Sequence, residues 1–182
     1  MTLRLIAMFG AFLALATPAS AAAPESMLAA VNRARVGEGL APLTLNERLN
    51  AAACRQARDL AGRALFDVEA LSHQGGDGST LAIRLRDAGY GFRTAAENLA
   101  AGAADPQETV RLWLASDGHR RNMLNPDFRE AGAAYVGPSL SPGGNRSGPM
   151  DVWVLVLATA IATDGAPAQD NSAAKNPRNC AG

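Results

Sequence analysis

The run Met150–Thr159, MDVWVLVLAT, constrains this chain more than any other stretch. It is rich in β-branched residues, carries Trp153 and reads as a strand. EAGAAYVG, Glu130–Gly137, is a second strand candidate. The periodic segments before them read as helices, so roughly four helices have to share one core with a small antiparallel sheet. The class is therefore α+β.

The helices announce themselves by face and punctuation. Leu28, Val31 and Ala34 share a face between Glu25 and Arg35, and the helix stops at Gly37-Glu38-Gly39. LAPLTLN, with Pro42, reads as an extended connection. Asn46 is an N-cap for a longer helix that places Leu49, Ala53, Ala57 and Leu60 on one side and has Gly62 near its end. Ser79 or Thr80 caps a third helix, LAIRLRDAGY, with Leu81, Leu85 and Ala88 on one face and Gly89 at its end. Asp105-Pro106 opens a fourth, PQETVRLWLAS, with Val110, Trp113 and Leu114 facing inward. The polar segment PSLSPGGNRSGP reads as a long hairpin loop between the two strands.

Both ends differ from this middle. Residues 1–23 combine Arg4, an apolar run from Leu5 to Ala16 and the small-residue pattern Ala19-Ser20-Ala21, which is the layout of a secretory signal peptide. The run is too short for a stable membrane span. The domain is placed at 24–163, and residues 164–182, rich in Ala, Pro, Asn and Asp without periodicity, read as a flexible tail. The net charge is zero, so nothing steers the chain to nucleic acid or an anionic membrane. Export puts Cys54 and Cys180 in an oxidising compartment, periplasmic or extracellular. Either the two pair, tying the tail to the domain, or Cys54 is a small half-buried thiol and Cys180 is incidental.

Candidate chemistry is sparse. There is no His-Glu-x-x-His, no Gly-x-Ser-x-Gly, no Cys-x-x-Cys and no phosphate-binding loop. What remains is two histidines, His73 in LSHQGGDGS and His119 in SDGHRRNML, and one carboxylate in an unusual setting, Glu97 among the small residues of AENLAAG. Two imidazoles and a carboxylate brought together make a divalent-metal site: neutral imidazole ligates, and the carboxylate orients a ring N–H or a bound water. Read singly, each histidine is an ordinary loop residue.

The ordered string of VNRARVGEGLAPLTLNERLNAAACRQARDLA, LSHQGGDGSTLAIRLRDAGY, AENLAAG, VRLWLASDGHRRNMLNPDFREAGAAYV and DVWVLVLA closely resembles the bacterial branch of the CAP superfamily. That superfamily holds the cysteine-rich secretory proteins, antigen 5 and the plant pathogenesis-related proteins, also called SCP-like extracellular proteins. The resemblance spans about Glu25 to Ala162. It implies a three-layer α–β–α sandwich and a cleft with a His, Glu, Glu, His tetrad whose histidines bind zinc or another divalent cation. By motif the histidines are His73 and His119, and Glu97, beside Asn98, is the first glutamate. Ala96 stands where the family usually has glycine. The second glutamate falls at Ser116, with Asp117 next, a serine that bacterial relatives commonly share. With one carboxylate missing, a metal held by two histidines is expected to bind weakly.

The resemblance also implies a ligand: a small molecule, a lipid-like molecule or a cell-envelope component bound in the cleft. The alternative activity is metal-dependent hydrolysis in which Glu97 activates water. A third reading is an interaction protein whose cleft is vestigial.

Overall fold

The computed structural model describes residues 23–63, 71–137, 150–162 and Cys180. The segments read as a signal peptide, a hairpin loop and a tail therefore fall outside the described residues, apart from the backbone of Ala23 and the anchor at Cys180. In chain order the elements are α1 (Ala23–Gly37), β1 (Thr44–Leu45), α2 (Glu47–Gly62), α3 (Leu81–Asp87), β2 (Phe92–Ala101), α4 (Pro106–Leu114), α5 (Asp117–Met123), β3 (Glu130–Val136) and β4 (Val152–Ala160).

Side chains set the helix starts. The Asn46 side chain accepts from the amides of Arg48 and Leu49 at the head of α2. Thr80 accepts from Ile83 ahead of α3, and Asp105 accepts from Glu108 with Pro106 following. Gly89 closes α3 in the left-handed region at φ +73.

The sheet runs β1-β3-β4-β2. β4 pairs antiparallel with β2 and β3, whereas β1 pairs parallel with β3, Thr44 opposite Glu130 and Leu45 opposite Ala131. The sheet is thus mixed rather than purely antiparallel, because the extended connection at Pro42 supplies a short parallel strand. Among the described residues five helices form rather than roughly four, since the segment after Trp113 winds up again as α5. Phe92–Ala101 is the longest strand although it carries few β-branched residues. Neighbouring β4 selects its conformation.

Every residue from Val152 to Ala158 is buried, as a strand covered on both faces requires. Trp153, Leu155 and Leu157 pack with Met27, Val31, Val110, Trp113, Met123 and Phe128 beneath α1, α4 and α5. Val152, Val154, Val156 and Ala158 pack on the other face with Leu49, Ala53, Ala57, Leu60 and Leu85 of α2 and α3. This is the three-layer sandwich that the resemblance implies. α2 lies so close to β3 that a Cβ at Gly132 would collide with the main chain of Leu49 and Asn50. There the Ala133 amide donates to Asn50 Oδ1 at 2.9 Å, which satisfies a donor that the short β1 cannot reach.

Arg35 is buried at 1% exposure and donates to the carbonyls of Ala41, Met123 and Asn125. Burial holds its pKa below the ordinary arginine value. It ties the end of α1 to the C-terminus of α5, where a cation also complements the helix dipole.

Candidate functional site

The loop from Leu71 to Ser79 is fixed by α2 and α3. The Gln56 side chain donates to the Ser72 carbonyl at 2.6 Å, Arg63 to the Gln74 carbonyl at 2.9 Å, and the Gly76 amide to Asp59 Oδ1 at 3.0 Å. Arg55 bridges Asp77 at 2.7 Å and Asp87 at 2.5 Å. That guanidinium, with the hydroxyl and amide of Ser79, holds the Asp77 carboxyl far below the usual aspartate range. A Cβ at Gly75 would lie 2.6 Å from Asp77 Oδ1, and one at Gly76 would lie 2.9 Å from Asp59 Oδ1. At both glycines a side chain would displace the carboxylates that brace the loop.

At the loop's start sits His73, its side chain 62% exposed. Its Nδ1 donates to Glu97 Oε1 at 2.8 Å, the carboxylate being the acceptor. Glu97 Oε2 accepts from Arg84 at 2.7 Å, and the Arg84 and Glu97 side chains are almost fully buried, at 0% and 2% exposure. Arg84 also donates to the carbonyls of His73 and Ser79. One guanidinium thus neutralises the carboxylate and holds the histidine loop. Arg84 escapes the sequence reading of the site, yet it carries a signal: it occupies the stripe that α3 shares between Leu81, Leu85 and Ala88, where a cation has to find a partner.

The next residue of β2 faces the other layer. Asn98 is fully buried, donates to the His119 carbonyl at 3.1 Å and accepts from Asn122 Nδ2 at 2.9 Å. His119 lies on α5 rather than in a loop, and its ring is tilted against Trp113 with centroids 6.4 Å apart. The Trp113 indole donates in turn to the Leu99 carbonyl at 2.9 Å. Burial lowers the His119 pKa first, and the neighbouring charge of His73 lowers it further, so the ring favours its neutral form. Adjacent residues of β2 thus reach both histidine segments: the Glu97 side chain bonds to the His73 ring, and the Asn98 side chain to the main chain of His119. Among the described residues β2 is the outermost strand of the sheet.

Ser116 and Asp117 lie at the N-terminus of α5. Ser116 occupies the cap position without a side-chain capping bond, and Asp117 is exposed in the first turn. Neither gives a side-chain hydrogen bond to His73, Glu97 or His119 among the described residues. Cys54 and Cys180 are joined by a disulfide with Cα atoms 5.6 Å apart, at the α2 side of the core.

Among the described residues no group of three or more His, Cys, Asp and Glu side chains is placed to hold a metal ion. The Glu97 bond occupies Nδ1 of His73, so Nε2 is the nitrogen that would face a cation, and two imidazoles alone are fewer protein ligands than a zinc site ordinarily has. Among the described residues no helix is long and apolar enough to cross a membrane.

Residues 28–156 match the Cysteine-rich secretory protein family, CAP. The uncharacterized protein YkwD of Bacillus subtilis (strain 168) is 34% identical over 120 residues, covering 65% of this chain and 45% of that protein. The uncharacterized membrane protein YlbC of the same organism is 31% identical over 108 residues, 59% of this chain and 30% of that one. The chain therefore spans less than half the length of these relatives. Among solved structures, an extracellular protein containing a SCP domain from Bacillus anthracis str. Ames superposes with a TM-score of 0.63 at 22% identity, over 76% of this chain and 40% of that one. An outer surface protein from Borrelia burgdorferi does so with a TM-score of 0.61 at 19% identity, over 75% of this chain and 92% of that one.

Proposed function

The chain belongs to the cysteine-rich secretory protein (CAP) family, and from that premise we propose that it works outside the cytoplasm as a binding module. Its cleft, floored by Glu97 and walled by His73 and His119, takes a small or lipid-like ligand or a cell-envelope component. A divalent cation is held weakly between the two histidines. The leader-like residues 1–23 and the extracellular and outer-surface descriptions of the structural neighbours support export.

The observation that carries this reading is the state of Glu97. Both of its oxygens are already engaged, one by His73 and one by buried Arg84. A carboxylate whose two oxygens are both engaged in this way orients a ring nitrogen and turns neither oxygen to a substrate water. Ser116 supplies no second carboxylate to stand in for Glu97, so hydrolysis stands second to binding. A bound cation supplies Lewis acidity and open coordination positions; the protein residues hold, orient and exclude.

The test is calorimetric titration of zinc into untagged protein, beside His73→Ala, His119→Ala and the double variant. The expected result is weak binding, lowered about tenfold or more by either single change. Equal binding by wild type and double variant would sink the shared site. Chelator-sensitive cleavage of a peptide library that Glu97→Gln abolishes would replace binding with catalysis.

A further inference from the structure

Among the described residues β2 has one neighbour, β4, and its residues Glu97 and Asn98 bond to the His73 ring and the His119 carbonyl. The hydrogen-bonding phase of its other edge is fixed by two contacts. The Gly102 amide donates to the Asp151 carbonyl at 2.8 Å, in register with Ala101 opposite Val152. Even-numbered residues of β2 therefore point their N–H and C=O groups at β4, and odd-numbered residues point theirs outward. The Leu99 carbonyl follows this rule, since it accepts the Trp113 indole. The outward N–H and C=O groups of Ala95 and Glu97 have no hydrogen-bond partner among the described residues. Glu97 as a whole exposes 6% while its side chain exposes 2%, so what it leaves open is mostly main chain.

An open edge invites pairing, and proteins usually blunt it. This edge is blunted at both ends: a register shift lies between Phe92 and Thr94, and the Trp113 indole closes Leu99. The window between them holds Ala95 and Glu97, and it coincides with the histidine site.

We propose that this window binds an extended peptide segment of a partner protein, which adds to β2 as a short fifth strand between His73 and His119. The proposal rests on the cleft being a binding site and names the class of its occupant. Two outward residues offer up to four main-chain hydrogen bonds, so the occupant presents alternating N–H and C=O groups and carries no proline at the paired positions. Its successive side chains fall on the His73 side and the His119 side in turn. A second copy of the chain fits less well. The histidine loop bonds to Glu97 and α5 bonds to Asn98 beside this window, and a second edge would bring its own two helical layers against them.

The experiment pans the purified protein against a phage-displayed library of linear heptapeptides and takes the tightest recovered peptide as the probe. Binding is expected to slow hydrogen exchange at the Ala95 and Glu97 amides. A single backbone N-methyl group is expected to weaken binding about tenfold at alternate peptide positions and to leave the intervening ones unchanged. Ala95→Pro removes an outward donor that β4 does not use and is expected to weaken the probe similarly. If that variant fails to fold, the N-methyl series still decides. Recovery of no peptide above background, or an N-methyl pattern without a period of two, overturns the proposal. So does concentration-dependent dimerisation that protects the same amides without peptide. A probe lost in the His73→Ala/His119→Ala variant but indifferent to N-methylation removes strand addition and keeps the cleft. A period-two pattern that survives the double variant keeps strand addition and removes the histidines from the site.

Discussion

Arg84 bears on both the fold and the site. Its guanidinium is buried against Glu97, and each charge is tolerated because the other is present. Arg84→Met leaves Glu97 a buried carboxylate without its buried cation, with His73 as its remaining side-chain partner, and frees the carbonyls of His73 and Ser79. The expected loss is about 3–5 kcal/mol in urea unfolding, the cost of breaking a buried pair from one side. Zinc affinity is expected to fall with it, because the carboxylate released from Arg84 fixes the His73 ring less firmly. Asp77 gives a pH signature instead. Arg55 and Ser79 hold its folded-state pKa below the ordinary value of 3.8, so its contribution is complete above that value and is lost as pH falls below it. Urea midpoints measured at pH 5, 4, 3 and 2 (round values about the ordinary aspartate range) are expected to drop more steeply for wild type than for Asp77→Asn. Parallel curves would remove Asp77 from the loop's stability.

Among the elements, α2 is the one whose placement decides most, since it anchors the histidine loop on one flank and lies against β3 on the other. The glycine at 132 sets that distance. Gly132→Ala is expected to cost about 1–3 kcal/mol by displacing α2, with the loss visible in thermal unfolding. Element starts were the most legible part of the sequence, because Asn46, Thr80 and Asp105-Pro106 act within one turn of themselves. β2 was not legible: Ala95, Ala96, Glu97 and Asn98 do not favour strands, and pairing with β4 overrides that. α5 was hidden by Gly118 and by a polar run whose single fully buried side chain is Met123. For the same reason His119 read as a loop residue. Of the site, His73, Glu97 and His119 could be named from motif order, whereas the Arg84–Glu97 pair and the Asn98–Asn122 bond are tertiary.

For the molecule as a whole, the long covalent link is the disulfide, which joins residues 126 positions apart. A closure of that length restricts the unfolded chain strongly, and its removal is expected to lower stability by about 2–5 kcal/mol. Cys54→Ala/Cys180→Ala compared with wild type, with and without reductant, measures it: the double variant should match reduced wild type, and no difference from the oxidised protein would deny the link a stabilising role. The histidine site is held instead by buried polar contacts at Arg84 and Asn98, with Arg35 securing the far end of α5. β4, lying between both cores, carries the remaining consequence. A half-buried strand records its alignment as a contrast of polar and apolar residues, but β4 is apolar at every position from Val152 to Ala158. Its alignment is encoded in bulk: Trp153, Leu155 and Leu157 fill the deep side, while valines and an alanine meet the alanine-rich face of α2. A slip of one residue would drive an indole into a space shaped for isopropyl groups, so volume alone proofreads the strand.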